Sequence, residues 1–190
     1  MSHRIRTSLI VLAALALFTR PAAANLVTNG SFETGDFTGW SAFGNLGFTG
    51  VTGDFNGVLP TDGSYQASFG PVGSVGGITQ TIATTPGATY AFSFDLANLG
   101  GLPSFVDASF GGTTVLSLTN PSDFSYTAYL FSVVASGNAT AVTFRFRQDP
   151  SYFLLDDVTL EQTGVPEPGS LFLLGLGLAG AAHRVRARRD

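Results

Sequence analysis

The 190-residue sequence has no cysteine. It therefore forms no disulfide and offers no thiolate for catalysis or for zinc. Its two histidines, His3 and His183, lie close to either end. Between them there is no imidazole, which excludes Ser-His-Asp and Cys-His catalysis and histidine-ligated metal sites from the middle of the chain. Positive charge is as scarce there. Of nine Arg and Lys, three lie before residue 21 and four after residue 183, leaving only Arg145 and Arg147. Against these, the stretch from Asn25 to Gly164 holds eleven Asp and Glu, a formal charge of −9. Such an acidic domain is unsuited to nucleic acid, which demands a basic surface. It is suited to divalent cations. No window carries a helical stripe of apolar residues.

The two ends are organised differently from the middle. Arg4 and Arg6 are followed by an uncharged apolar run from Leu9 to Phe18, and then by Ala22-Ala23-Ala24. That order is the order of a secretory signal peptide, with Ala22 and Ala24 forming the small-x-small site and cleavage after Ala24. An apolar run of about ten residues is too short to span a bilayer core of roughly 30 Å, which argues against an N-terminal anchor.

At the other end Pro166-Glu167-Pro168 precedes an uncharged run from Leu171 to Ala182, and Arg184, Arg186, Arg188 and Arg189 follow. The run would make a helix of about 18 Å. That is short for a permanent span, even with arginine stems snorkelling to extend it. The arginines would hold this end in the cytoplasm. The three parts in this order resemble the PEP-CTERM sorting signal. The resemblance implies an exosortase-type processing enzyme as partner and transient anchoring in the inner membrane. The destination it implies is the cell surface, outer membrane or extracellular matrix. A plain C-terminal anchor is the alternative. The expected division is a signal peptide over 1–24, one domain over 25–163 and a sorting tail with a short transmembrane helix over 164–190.

Within the domain, apolar and polar residues alternate with period 2. Tyr90, Phe92, Phe94 and Leu96 share one face, and Ala91, Ser93 and Asp95 the other. Residues 77–82, 113–119, 126–134, 140–147 and 153–161 also read as strands. Asp62-Gly63, Pro86-Gly87, Gly111-Gly112 and Gly137-Asn138 mark turns. Short strands between Gly-rich turns predict an all-β sandwich of the jelly-roll type, flanked by the signal helix and the short apolar helix. Trp40 and the alternating phenylalanines are expected in the core. Asp36, Asp54, Asp62, Asp107 and Asp123 are expected in solvated loops or turns.

Two carboxylates stand out. If the strand through Asp156 alternates strictly, Leu154, Asp156, Val158 and Leu160 share a face and Asp157 lies on the other. Asp156 then sits at the core edge, where a carboxylate must be paired or coordinated. Arg145 or Arg147 can pair it. A calcium ion, which takes about six to eight oxygens, can also hold it, with Glu33 from a Gly-rich loop as the second carboxylate. Glu33 can instead accept backbone N–H groups in a turn. These alternatives stay open.

The stretches NLVTNGSFETGDFTGW, DGSYQASF and LLDDVTL resemble the galactose-binding-like jelly rolls of carbohydrate-binding modules. The resemblance implies a structural calcium held by Glu33, Ser31, Gly63 or Ser64, and Asp156, with polysaccharide as the ligand class. It does not locate the sugar-contacting aromatics. The expected function is that of a non-catalytic exported surface or matrix protein that binds exopolysaccharide. A calcium-dependent adhesive or self-assembling protein is one alternative. A carboxylate-dependent glycosidase is another, disfavoured because adjacent strand residues such as Asp156 and Asp157 should point to opposite faces.

Overall fold

The structure is a computed structural model that describes residues 24–163. Ala22, the Pro166-Glu167-Pro168 motif and both expected terminal helices lie outside the described residues. Ten strands make up the regular structure: β1 (Ser41–Gly44), β2 (Thr49–Thr52), β3 (Gln66–Phe69), β4 (Gly76–Ala83), β5 (Thr89–Asn98), β6 (Ser104–Phe110), β7 (Thr113–Thr119), β8 (Phe124–Val134), β9 (Ala139–Gln148) and β10 (Phe153–Gln162). The first sheet has the order β1-β4-β9-β6-β7 and the second β2-β3-β10-β5-β8. Every pairing is antiparallel.

The alternation in the sequence becomes the two inner faces of the sandwich. Tyr90, Phe92, Phe94 and Leu96 of β5 are buried, as are Ile78, Gln80 and Ile82 of β4 and Val142, Phe144 and Phe146 of β9. Phenylalanines from opposite sheets meet between them. Phe69 stacks on Phe146 at 4.0 Å, and Phe94 meets Phe144 edge-on at 4.9 Å. Such aromatic contacts favour the fold beyond area burial by roughly 0.5–1.5 kcal/mol each. The segment before β1 forms no strand but closes the core with Phe32 and Trp40, both buried. Trp40 donates its Nε1–H to the carbonyl of Asn29 at 3.1 Å, which satisfies the indole while its ring stacks near Phe32.

The six strands expected from the sequence are present within a residue or two of the expected ends. β1, β2, β3 and β6 give no alternating signal, each for a physical reason. β1 and β2 are only four residues long. Every residue of β3 is buried, so its two faces look alike. β6 buries Asp107 on the face that alternation would leave to solvent. Asp107 is thus a strand residue and not a loop residue. It lies directly opposite Arg145 on β9 and accepts from its guanidinium Nε at 2.9 Å.

A larger departure lies in β10. Asp156 pairs with Asp95, but the next partner pair is Thr159 with Ser93. Three steps along β10 therefore match two along β5. This is a β-bulge, and Asp157 takes the extra residue with φ = 46°. The bulge flips the alternation. Leu155 lies opposite Leu96 and faces the core, and past the bulge Leu160 lies opposite Phe92 and faces it too. Leu154 and Asp156 consequently lie on the outer face of the second sheet, and do not share a face with Val158 and Leu160. Both are nevertheless fully buried.

Removing one inter-sheet ring tests this packing. Phe144→Ala is expected to cost about 3–5 kcal/mol in urea-induced unfolding. A loss below about 1 kcal/mol would mean that Phe144 is not central to the core.

Candidate functional site

Asp156 is buried on an outer sheet face because the link between β2 and β3, residues 53–65, folds back over that face. Gln66 fastens it. Its Nε2 donates to the carbonyls of Gly53 at 2.6 Å and Val58 at 2.7 Å, and its Oε1 accepts from the Tyr126 hydroxyl at 2.5 Å. The end of the link, residues 61–65, is held by the two carboxylates singled out in the sequence. Asp156 Oδ2 accepts from the Thr61 N–H at 2.7 Å, the Thr61 hydroxyl at 3.1 Å and the Asp62 N–H at 3.0 Å. Its Oδ1 accepts from the Asp157 N–H at 2.8 Å, made available by the bulge. Glu33 Oε1 accepts from the Ser64 and Tyr65 N–H groups, each at 2.7 Å. Ser31 adds a third tie, its hydroxyl donating to Asp62 Oδ2 at 2.7 Å.

The residues expected to form a site, Ser31, Glu33, Ser64 and Asp156, are thus gathered around one loop. Glycine makes the closeness feasible. Gly63 has φ = 66°, and a Cβ there would lie 2.3 Å from the Glu33 carboxyl carbon. Gly30 plays the same part on the other side, since a Cβ on it would sit 2.0 Å from the Val158 carbonyl oxygen. The backbone of Gly30 accepts from the Val158 N–H, and Leu26 N–H donates to Leu160. The N-terminal segment, itself not a strand, thus bonds directly to the last strand.

Neither arginine takes part. Arg145 pairs with Asp107 and Arg147 with Asp149. Burial holds the Asp156 carboxyl above the ordinary carboxylate range, and its N–H donors oppose that without cancelling it. Asp157 is also pushed up, by burial first and then by Asp62 and Asp95. The strict alternation behind the expectation that the two point to opposite faces is broken between Asp156 and Thr159 by the bulge. Among the described residues, no group of three or more Asp, Glu, His or Cys side chains converges to hold a metal ion. Any cation at the clamp would therefore draw on carbonyl oxygens as well as on Glu33 and Asp156.

A second feature was not legible in the sequence. Just before the start of β10, Phe48, Gly70, Val72, Pro150, Ser151 and Tyr152 line a recess of about 110 Å3. Phe48 is 68% exposed and has φ = 55°. Tyr152 packs over Gly70, where a Cβ would lie 2.8 Å from its ring, and against Phe55 at 4.6 Å. The rim is fixed by Asp149, whose carboxylate accepts from Arg147 and from the Gly73 N–H. No charged side chain lines the recess.

Comparison with known proteins bears on both ends of this picture. No curated protein matches the chain in sequence. Residues 164–189 match the PEP-CTERM protein-sorting motif. The tail is a PEP-CTERM sorting signal. It marks a secreted surface protein sorted by the exosortase route. The sandwich is similar to TmCBM61, solved in complex with β-1,4-galactotriose. The TM-score is 0.60 and the identity 17%, over 74% of this chain and 99% of that one. It is also similar to the CBM22-1 xylan-binding domain of Paenibacillus barcinonensis Xyn10C, with TM-score 0.53 and 15% identity over 78% and 100% of the two chains. A third likeness is to the enzymatically active domain of Bacteriophage CBA120 tailspike protein 4, with TM-score 0.56 and 16% identity, covering 73% of this chain and 21% of that one. These likenesses establish the fold as the jelly-roll sandwich of carbohydrate-binding modules.

The clamp makes a stability prediction. Asp156→Ala leaves buried N–H groups without an acceptor and is expected to cost about 1–3 kcal/mol. Gly63→Ala should loosen the same loop, seen as faster proteolytic cutting between residues 53 and 65. A melt and a cutting rate unchanged in both variants would contradict the clamp.

Proposed function

We propose that this protein is a non-catalytic exported module, processed through its PEP tail, that binds exopolysaccharide at the cell surface or in the surrounding matrix. The observation that carries the reading is the pairing of a sorting signal over 164–189 with a sandwich of the carbohydrate-binding-module fold. The fold neighbours are named with β-1,4-galactotriose and with xylan. The middle of the chain, without cysteine or histidine, fits a binding role better than a hydrolytic one.

The recess beside Phe48 and Tyr152 is the place for the sugar. Aromatic faces suit the apolar C–H face of a pyranose, and an uncharged lining in a domain of charge −9 favours a neutral glycan over an acidic one. Pockets for drug-sized ligands measure roughly 300–1,000 Å3. A recess of about 110 Å3 suits a single ring lying against Phe48.

Calcium belongs to the same proposal at the clamp. Glu33, Asp156 and carbonyl oxygens of Ser31 and of Gly63 or Ser64 are the hard-oxygen donors that such an ion takes. Glu33 has one carboxylate oxygen engaged by N–H donors. Its other oxygen is the natural first ligand. The hydrogen-bonded clamp without a metal is the competing account of the same residues.

Affinity electrophoresis against polysaccharide from the producing cell tests the glycan reading. The mature protein should be retarded, and Phe48→Ala and Tyr152→Ala should each weaken retardation about tenfold or more. Unchanged retardation of both variants removes the recess, and no retardation of the unaltered protein removes the glycan. Hydrolysis of that polysaccharide, lost in Asp157→Asn, would instead favour a glycosidase. The mass of the mature protein should lack residues 1–24 and the segment beyond the PEP motif; a retained tail would favour a plain anchor. Chelator should lower the melting temperature, and Glu33→Ala should abolish the difference. A melt indifferent to calcium leaves the hydrogen-bonded clamp as the whole account of the site.

A further inference from the structure

The two flanks of the sandwich are built differently. One flank ends in β1 and β2, joined by residues 45–48, and each is four residues long. Short edges of this kind offer little backbone for a stray strand to pair with. The other flank ends in β7 and β8, joined by residues 120–123, and these are seven and eleven residues long. Among the described residues β8 is the longest strand and pairs only with β5, and β7 pairs only with β6. Each therefore leaves one row of backbone N–H and C=O groups without a ladder partner.

Edges of that length are ordinarily blunted by charge, proline or short length. β7 (TTVLSLT) and β8 (FSYTAYLFSVV) have no charged residue, no proline and no glycine. Neighbouring strands are not spared charge, for β5 carries Asp95 and β6 carries Asp107. Asp123, in the link between the two edge strands, is the nearest charge along the chain. On β8, Leu130 is 72% exposed and Val134 is 60% exposed.

We infer that the β7–β8 flank is a self-association surface, on which β8 pairs antiparallel with β8 of a second copy of this chain. The occupant follows from charge and from the backbone. A domain of formal charge −9 repels its copies over most of its surface. The flank with two long uncharged strands is where copies can approach at least cost. An antiparallel β8–β8 pair is self-complementary about a two-fold axis, so one surface serves both partners. It joins the two second sheets into one continuous sheet and satisfies the free row of each edge. The inference is independent of the glycan and of calcium.

Sedimentation velocity of the mature protein over a concentration series tests it. The protein should pass from monomer to dimer. The dimer should tighten as salt screens the acidic surfaces and should survive chelator. Backbone amides on the free edge of β8 should gain protection from hydrogen exchange on dimerisation. Leu130→Lys and Val134→Lys place like charges across the seam. Both side chains are already exposed, so circular dichroism and the melt of the monomer should be unchanged. Each variant should raise the dissociation constant about tenfold or more. A protein that stays monomeric throughout overturns the inference. So do dimers that persist unweakened in both variants, or that form while the β8 edge exchanges freely. Association only with an extended peptide of another protein would also overturn it, by giving the edge a different occupant.

Discussion

A buried carboxylate organises the outer face of the second sheet. Asp156 stands on that face while Val158 and Leu160 face the core because the chain inserts one extra residue, Asp157, into β10. Without the bulge the three would share a face, and either the carboxylate would enter the core or the two apolar side chains would leave it. With the bulge, the Asp157 N–H turns to one oxygen, and Thr61 and Asp62 turn to the other. An isolated carboxylate is costly to bury, and several N–H donors offset that cost. The link over 53–65 is therefore drawn onto the sheet. Gln66 and Tyr126 complete the cover with a second buried set of hydrogen bonds.

The clamp also ties the two ends of the described domain together. Glu33 and Ser31 belong to the segment that precedes β1, and Asp156 belongs to the last strand. Asn25 and Leu26 bond to β10 near Leu160, and Thr163 bonds to Thr89 at the end of that strand. The chain thus enters and leaves the sandwich near the far end of β10. Tyr152, at the start of β10, lies about 30 Å away at roughly 3.3 Å per residue. The sorting tail follows from one end of the domain while the aromatic recess opens at the other. That arrangement suits a module that is handled by its tail and presents its opposite end to the surroundings. The lack of disulfides puts the burden of stability on the aromatic core, where rings from β3 and β5 meet rings from β9.

Much of this was legible in the residues. β4, β5 and β9 alternate so strictly that their inward faces are read directly. The sorting signal is written in a local order of Pro-Glu-Pro, apolar run and arginines. Glu33 and Asp156 also stood out in the residues, and each holds part of the loop over 61–65. The face of Asp156 was not legible. Strict period 2 holds only while the ladder is regular, and nothing in Leu-Leu-Asp-Asp-Val announces a bulge to a reader of single residues. Asp107 was misplaced for a related reason, because its partner Arg145 lies 38 residues away and only the β6–β9 register brings them level. The recess escaped notice because Phe48 and Tyr152 come from different loops. Their meeting depends on β2, β3 and β10 lying side by side, and two of those strands are too short or too buried to show a pattern.

The account turns on the carboxylates holding residues 61–65 against the sheet, and amide hydrogen exchange reads that directly. The N–H groups of Thr61, Asp62, Ser64 and Tyr65 should exchange slowly although they lie in a loop. Asp156→Asn should speed Thr61 and Asp62, and Glu33→Gln should speed Ser64 and Tyr65. Fast exchange at all four amides in the unaltered protein would contradict the account.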